Sequence, residues 1–178
     1  MRARDRVINH MPKNAVGAEI GVHLGDYSQK IIDHTNPRLL YLIDPWILFD
    51  NDTHADSWYG KNKVTQQTMD SRYLSVCDRF KNKNVKILRD LSYKAALEIP
   101  DENLDFVYID GDHSYEGSCK DFDAYYPKVK KGGFIYGDDY IDNNWWGTGV
   151  IDALHKNLHE KNLKLLFLEK DQFCCVKL

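Results

Sequence analysis

Short apolar runs recur along the chain, separated by longer stretches in which apolar residues fall at helical spacing. AVGAEIGV (15–22), LLYLID (39–44), VKIL (85–88), FVYI (106–109), GFIYG (133–137), KLLFLE (164–169) and FCCVKL (173–178) have the length and residue types of buried strands. Between them, amphipathic stretches predict helices over 27–34, 64–81, 92–97, 116–129 and 148–159. Strands alternating with helices pair in parallel through right-handed crossovers, which gives a doubly wound α/β sheet. Only Lys170, Asp171 and Gln172 separate the last two runs, too few for a helical crossover, so that pair is antiparallel. The pattern therefore predicts seven strands, mostly parallel with one reversed strand at the C-terminal end, and helices on both faces. No repeat, low-complexity tract or Pro/Gly-rich linker interrupts it, so residues 1–178 read as one domain.

Composition narrows the partners. The 178 residues carry a formal net charge of −3 and no Lys/Arg block, which gives no electrostatic footprint for nucleic acid. The apolar runs are too short to span a membrane, and the start MRARDRVINH has no apolar stretch like a signal peptide. The cysteines at 77, 119, 174 and 175 form no CxxC pair, so they read as reduced thiols of a cytoplasmic protein rather than a zinc site.

The turn after the first strand reads Glu19-Ile-Gly21-Val-His23-Leu-Gly25-Asp-Tyr-Ser28. Gly21 and Gly25 let the backbone turn sharply and come close to a ligand. A dinucleotide fingerprint would place glycines where His23 and Asp26 stand, and no Walker-type Gly-Lys-Ser/Thr ending follows. Without a pyrophosphate cradle, the ligand is a nucleoside lacking phosphates, and Glu19 suits an ammonium better than an anion. A tight strand-to-helix turn with no ligand is the competing reading. Asp44 closes the second strand near the separation at which such folds put an acid on a ribose diol. A helix cap or turn acid before Pro45 is the other reading of that residue. Together they describe an adenosine site beside a positive group, which S-adenosylmethionine fits.

The stretch VYIDGDHSY (107–115) ends a buried run in two aspartates, a glycine and a histidine. With EIGVHLGDYS, LYLIDPW and the GGFIYGDDY that follows, it resembles the Rossmann-like class I S-adenosylmethionine-dependent methyltransferases. More narrowly, it resembles the small-molecule O-methyltransferases that include macrocin-type sugar methyltransferases and cephalosporin-hydroxylase-like proteins. The resemblance covers about residues 15–178, except 45–63, which match nothing in that family. It implies cofactor contacts from Glu19, Gly21, His23, Gly25, Ser28, Asp44, Ser92 and Asp110. It also implies one magnesium ion, or another divalent cation, on Asp110, Asp138 and Asp139. The chemistry agrees, since three carboxylates on neighbouring parallel strands repel unless a cation neutralises them, and an all-oxygen set suits Mg²⁺ or Ca²⁺. Asp112 is an alternative ligand or a solvent-facing turn residue, and an acid cluster without metal is the competing reading.

His113 stands where catechol-type relatives carry a lysine base, and a neutral imidazole can take a hydroxyl proton near pH 7. A cap or loop hydrogen bond is its other reading. The family's third motif carries an acid one place from a serine; here Arg89-Asp90-Leu91-Ser92 keeps Ser92 and displaces the acid to Asp90, leaving the adenine contact unassigned. Trp46, Trp58, Tyr59, Trp145 and Trp146 flank strand ends, as pocket walls for a small-molecule acceptor or as core aromatics. The expected activity is metal-assisted O-methylation of a small molecule, catalysed with His113 and Asp110. A nicotinamide-dependent reductase and a non-catalytic nucleoside-binding module are the alternatives.

Overall fold

The computed structural model describes residues 3–52, 54–142 and 146–178. Trp145 lies outside them. The strands are β1 (Val16–Ile20), β2 (Leu39–Ile43), β3 (Val85–Leu88), β4 (Leu104–Ile109), β5 (Val129–Gly137), β6 (Leu163–Glu169) and β7 (Gln172–Lys177). The helices are α1 (Ala3–Val7), α2 (Asp26–Thr35), α3 (Gln66–Phe80), α4 (Ser92–Ala95), α5 (Tyr115–Tyr125) and α6 (Gly149–Glu160). The strands form a single sheet in the order β3-β2-β1-β4-β5-β7-β6. The pairs from β3 through β5 are parallel, and β7 runs antiparallel to both β5 and β6. The reversed strand is thus β7, inserted between β5 and β6.

Alternation along the strands builds two cores. Tyr41, Ile43, Val107 and Ile109 face Ala95, Phe122 and Leu154 from α4, α5 and α6. Leu40, Leu42, Phe106 and Tyr108 face Val7, Ile31 and Phe80 from α1, α2 and α3. Both faces are buried over the central strands β1, β2 and β4, which explains why these read as continuous apolar runs. Between β5 and β7, the Phe173 ring occupies the space where a Cβ on Gly137 would lie, only 2.1 Å from its Cζ, so glycine is required at the end of β5.

Three departures from the sequence pattern have local causes. The helix expected over 116–129 stops at Tyr125, because Pro127 has no amide hydrogen to continue the ladder. β5 begins at Val129 rather than 133, since the exposed polar start of that strand reads as loop. The polar opening of the chain folds into α1 and a 3₁₀ turn (Ile8–His10), held by buried Ala3, Val7, Ile8 and Met11. The four cysteines are free, and no helix among the described residues is long and apolar enough to cross a membrane.

Register is what builds the site. Ile20 of β1 is level with Ile43 of β2 and Ile109 of β4, and Ile109 is level with Gly137 of β5. The next residues, Gly21, Asp44, Asp110 and Asp138, therefore emerge side by side at the C-terminal edge, where such sheets hold their ligands.

Candidate active site

The loop after β1 crosses the end of β4. Gly21 has φ +89°, and a Cβ there would lie 1.7 Å from the Asp110 carbonyl oxygen. Gly25 begins α2 at φ +77°, with the Phe80 ring 2.6 Å from where its Cβ would stand. Both glycines are thus demanded by the fold itself. Glu19 is buried, and the Ser28 hydroxyl donates to its Oε2. Burial pushes the Glu19 pKa up to about 8, against the opposing pull of Ser28 and Arg4.

Asp44 is also buried, and both of its oxygens are engaged. Oδ1 accepts from the Trp46 amide at 2.8 Å. Oδ2 accepts from the His23 amide at 2.8 Å and the Tyr59 hydroxyl at 2.5 Å. Burial raises the Asp44 pKa, and these donors pull it back. Tyr59 comes from residues 45–63, whose ends are tied by a bridge between Phe49 and Gly60. That segment folds over the loop after β1: the Trp46 indole donates to the His23 carbonyl at 2.9 Å, and the Trp58 and His23 rings lie 5.0 Å apart.

At the other end of the site, Asp110 and Asp138 share a guanidinium. Arg4 Nη2 lies 2.8 Å from Asp110 Oδ2 and is ion-paired to Asp138 Oδ2. Arg4 rests on the Tyr27 and Tyr108 rings, 5.0 and 5.8 Å from their centroids, and its carbonyl accepts from the Tyr27 hydroxyl. Asp138 Oδ1 accepts from the Asp139 amide at 2.8 Å and from Gln172 Nε2. Tyr108 in turn donates to Gln172 Oε1 at 2.8 Å. Asp138, expected among metal ligands, is therefore turned toward Arg4 and Gln172.

His113 stands in its place. Its Nε2 is 3.4 Å from Asp110 Oδ1, and its Nδ1 is 3.3 Å from Asp139 Oδ2. Asp110, His113 and Asp139 each offer one ligand atom, all within 4.8 Å of one another. Two carboxylate oxygens and one imidazole nitrogen form a donor set that fits a divalent cation. Burial works against a charged His113, but Asp110, Asp139 and Asp112 outweigh it and raise its pKa. Asp112 stands outside this group, accepting from the Ser114 amide at 3.0 Å and facing His54.

One cavity of about 890 Å³ joins the two regions. Gly21, His23, Asp44, Ser92, Asp110, His113, Asp138 and Asp139 line it, whereas Glu19, Gly25 and Ser28 lie behind its wall. Trp58, Tyr59 and Trp146 line it as well; Trp46 packs instead against Tyr73 in the core. In the third motif, the exposed Asp90 accepts from the adjacent Leu91 amide, and the Ser92 hydroxyl donates to Asp121 on α5. Arg4, Asp121 and Gln172 escaped the sequence reading, and Tyr59 was read as a pocket wall or core aromatic rather than as a partner of Asp44. A cue existed for Asp121, which is an acid on a helix face shared with buried Ser118, Phe122 and Tyr125.

This strand order and C-terminal-edge cavity define the class I methyltransferase architecture. A family described as a methyltransferase domain matches residues 18–140. The O-methyltransferase NovP superposes with a TM-score of 0.61 at 20% identity, over 98% of this chain and 76% of that one. SMU.1697c from Streptococcus mutans, solved in complex with S-adenosylhomocysteine, gives 0.64 at 11% identity, over 100% and 99%. The uncharacterised protein R132 of Acanthamoeba polyphaga mimivirus is 41% identical over 77 residues, covering 41% of this chain and 34% of that protein. This chain thus spans about a third of the length of that relative. The chain belongs to the methyltransferase-domain family, whose enzymes draw their methyl group from S-adenosylmethionine.

Proposed function

We propose that the protein transfers the methyl group of S-adenosylmethionine to a hydroxyl of a small polar acceptor, with a sugar hydroxyl or vicinal diol as first choice. The observation carrying this reading is the single cavity that joins the Asp44 loop to the Asp110–His113–Asp139 group. Asp44 faces the ribose hydroxyls, with Tyr59 yielding its place on Oδ2 or sharing it. Gly21 and His23 bring backbone close to the cofactor, and Ser92 stands at its base.

Asp110, His113 and Asp139 would hold Mg²⁺ or another divalent cation. When bound, such an ion lowers the pKa of an acceptor hydroxyl and neutralises the carboxylates. Arg4 already balances Asp138 and the outer oxygen of Asp110, leaving Oδ1 of Asp110 toward His113. With His113 committed to the ion, the second carboxylate oxygen of Asp139 is the group left to take an acceptor proton, and Trp58 and Trp146 line the acceptor space. S-adenosylmethionine, when bound, would supply the methyl group and leave as S-adenosylhomocysteine, so the chain's main contribution is to position the two partners.

Calorimetric titration of S-adenosylmethionine and NADH, followed by methyl-transfer assays on sugars and diols, tests this reading. Binding of S-adenosylmethionine alone, with transfer to an oxygen acceptor, is expected. Binding of NADH alone, or of neither, would overturn it.

A further inference from the structure

The Asp121 carboxyl is a buried acid that the reaction above does not use. The residue is 2% exposed, yet it lines the cavity together with Ser92, Gly111 and Asp44. Its Oδ1 accepts from the Ser92 hydroxyl, whereas Oδ2 is buried without a hydrogen-bond partner. A buried acceptor left unpaired is costly, and its persistence calls for a donor that arrives with a ligand. Gly111 keeps the approach open: a Cβ there would stand 2.8 Å from Asp121 Oδ2. Apolar Ile43, Pro45 and Leu91 line the same cavity beyond the ribose acid, as the flat faces of a purine require.

We infer that Asp121 selects the purine of the cofactor, its Oδ2 accepting a hydrogen bond from the exocyclic 6-amino group of adenine. The inference rests on the cofactor reading above and adds to it a residue on α5, outside the loop between β3 and α4 where the displaced motif acid Asp90 lies exposed. Hypoxanthine presents a carbonyl oxygen in place of that amino group, so two acceptors would then face each other in a dry site. Burial pushes the Asp121 pKa up to about 7, and a ligand donor would favour its charged form.

The test compares S-adenosylhomocysteine with S-inosylhomocysteine by calorimetry, on wild type and on Asp121→Asn. In the variant, the amide oxygen keeps the Ser92 bond and the amide NH₂ takes the place of Oδ2, turning an acceptor into a donor. Wild type should prefer the adenine compound by roughly tenfold or more, and Asp121→Asn should lower that ratio at least about tenfold, with S-inosylhomocysteine gaining affinity. A role confined to holding Ser92 would leave the ratio unmoved, and an unmoved ratio in the folded variant overturns the inference. If Asp121→Asn does not fold, Asp121→Leu should erase the preference, and retention of the preference overturns the inference equally. Wild type binding neither compound would instead overturn the cofactor reading, and this inference with it.

Discussion

Arg4 and Asp110 stand 106 residues apart in sequence and meet at 2.8 Å, joining the first helix to the end of the fourth strand. The same guanidinium holds Asp138, which is 5% exposed in its side chain. The charge that three neighbouring carboxylates demand is thus supplied partly by the protein.

Removing that charge has a measurable cost. Arg4→Ala should destabilise the fold by about 1.5–3 kcal/mol, the range for hydrogen bonds to charged groups, because Asp138 keeps its burial and loses its cation. Urea denaturation checks this. Added Mg²⁺ should restore part of the loss in the variant and have less effect on wild type, since it replaces a positive charge the variant lacks.

Asp110 and Asp139 are grouped with His113 rather than with Asp138. Methyl transfer should vanish in EDTA and return with Mg²⁺. Asp139→Asn should weaken Mn²⁺ binding, read by electron paramagnetic resonance, by at least about tenfold, within the range seen when a metal site is perturbed. Asp138→Asn should leave Mn²⁺ affinity far less changed, because Asp138 faces Arg4 and Gln172. Equal losses in both variants would return Asp138 to the ligands.

Asp44→Ala should weaken S-adenosylmethionine by roughly 1.5–3 kcal/mol. Because Asp44 also holds the His23 and Trp46 amides, a melting curve must accompany the titration. Tyr59→Phe should alter cofactor affinity without that structural cost, since it removes a hydroxyl and spares the two amides.

Stability should depend on pH through Glu19. Its folded pKa of about 8 exceeds the ordinary value of 4.5, so the folded chain binds this proton more tightly than the unfolded chain. Unfolding releases it between those limits, and stability falls as pH rises through that window. Glu19→Gln should flatten this slope and gain on wild type at pH 8 by a few kcal/mol on the order of magnitude. Denaturation midpoints at pH 5 and pH 8 decide it.

Much of the fold was readable because both faces of the central strands are buried, which makes these strands uninterrupted apolar runs. The strand-end residues Asp44, Asp110 and Asp138 were readable for the same reason, since each directly follows such a run. Gly21 and Gly25 were found, but for an incomplete reason. Contact with the Asp110 backbone and the Phe80 ring demands glycine at both positions whether or not a ligand is bound. Arg4 and Gln172 were not readable. Each acts through a partner far away in the chain, and no local periodicity reports a pairing over 106 or 34 residues.

Because β7 runs against its neighbours, its first residue, Gln172, lies at the same sheet edge as the last residues of β4 and β5. Asp138 is consequently clasped from two sides, by a residue of the first helix and by one that emerges from the ribosome 34 residues after Asp138 itself. During synthesis, the strands that carry the acids can pair well before both partners exist. Until Gln172 has left the exit tunnel, Asp138 has the Arg4 guanidinium but lacks its second side-chain donor.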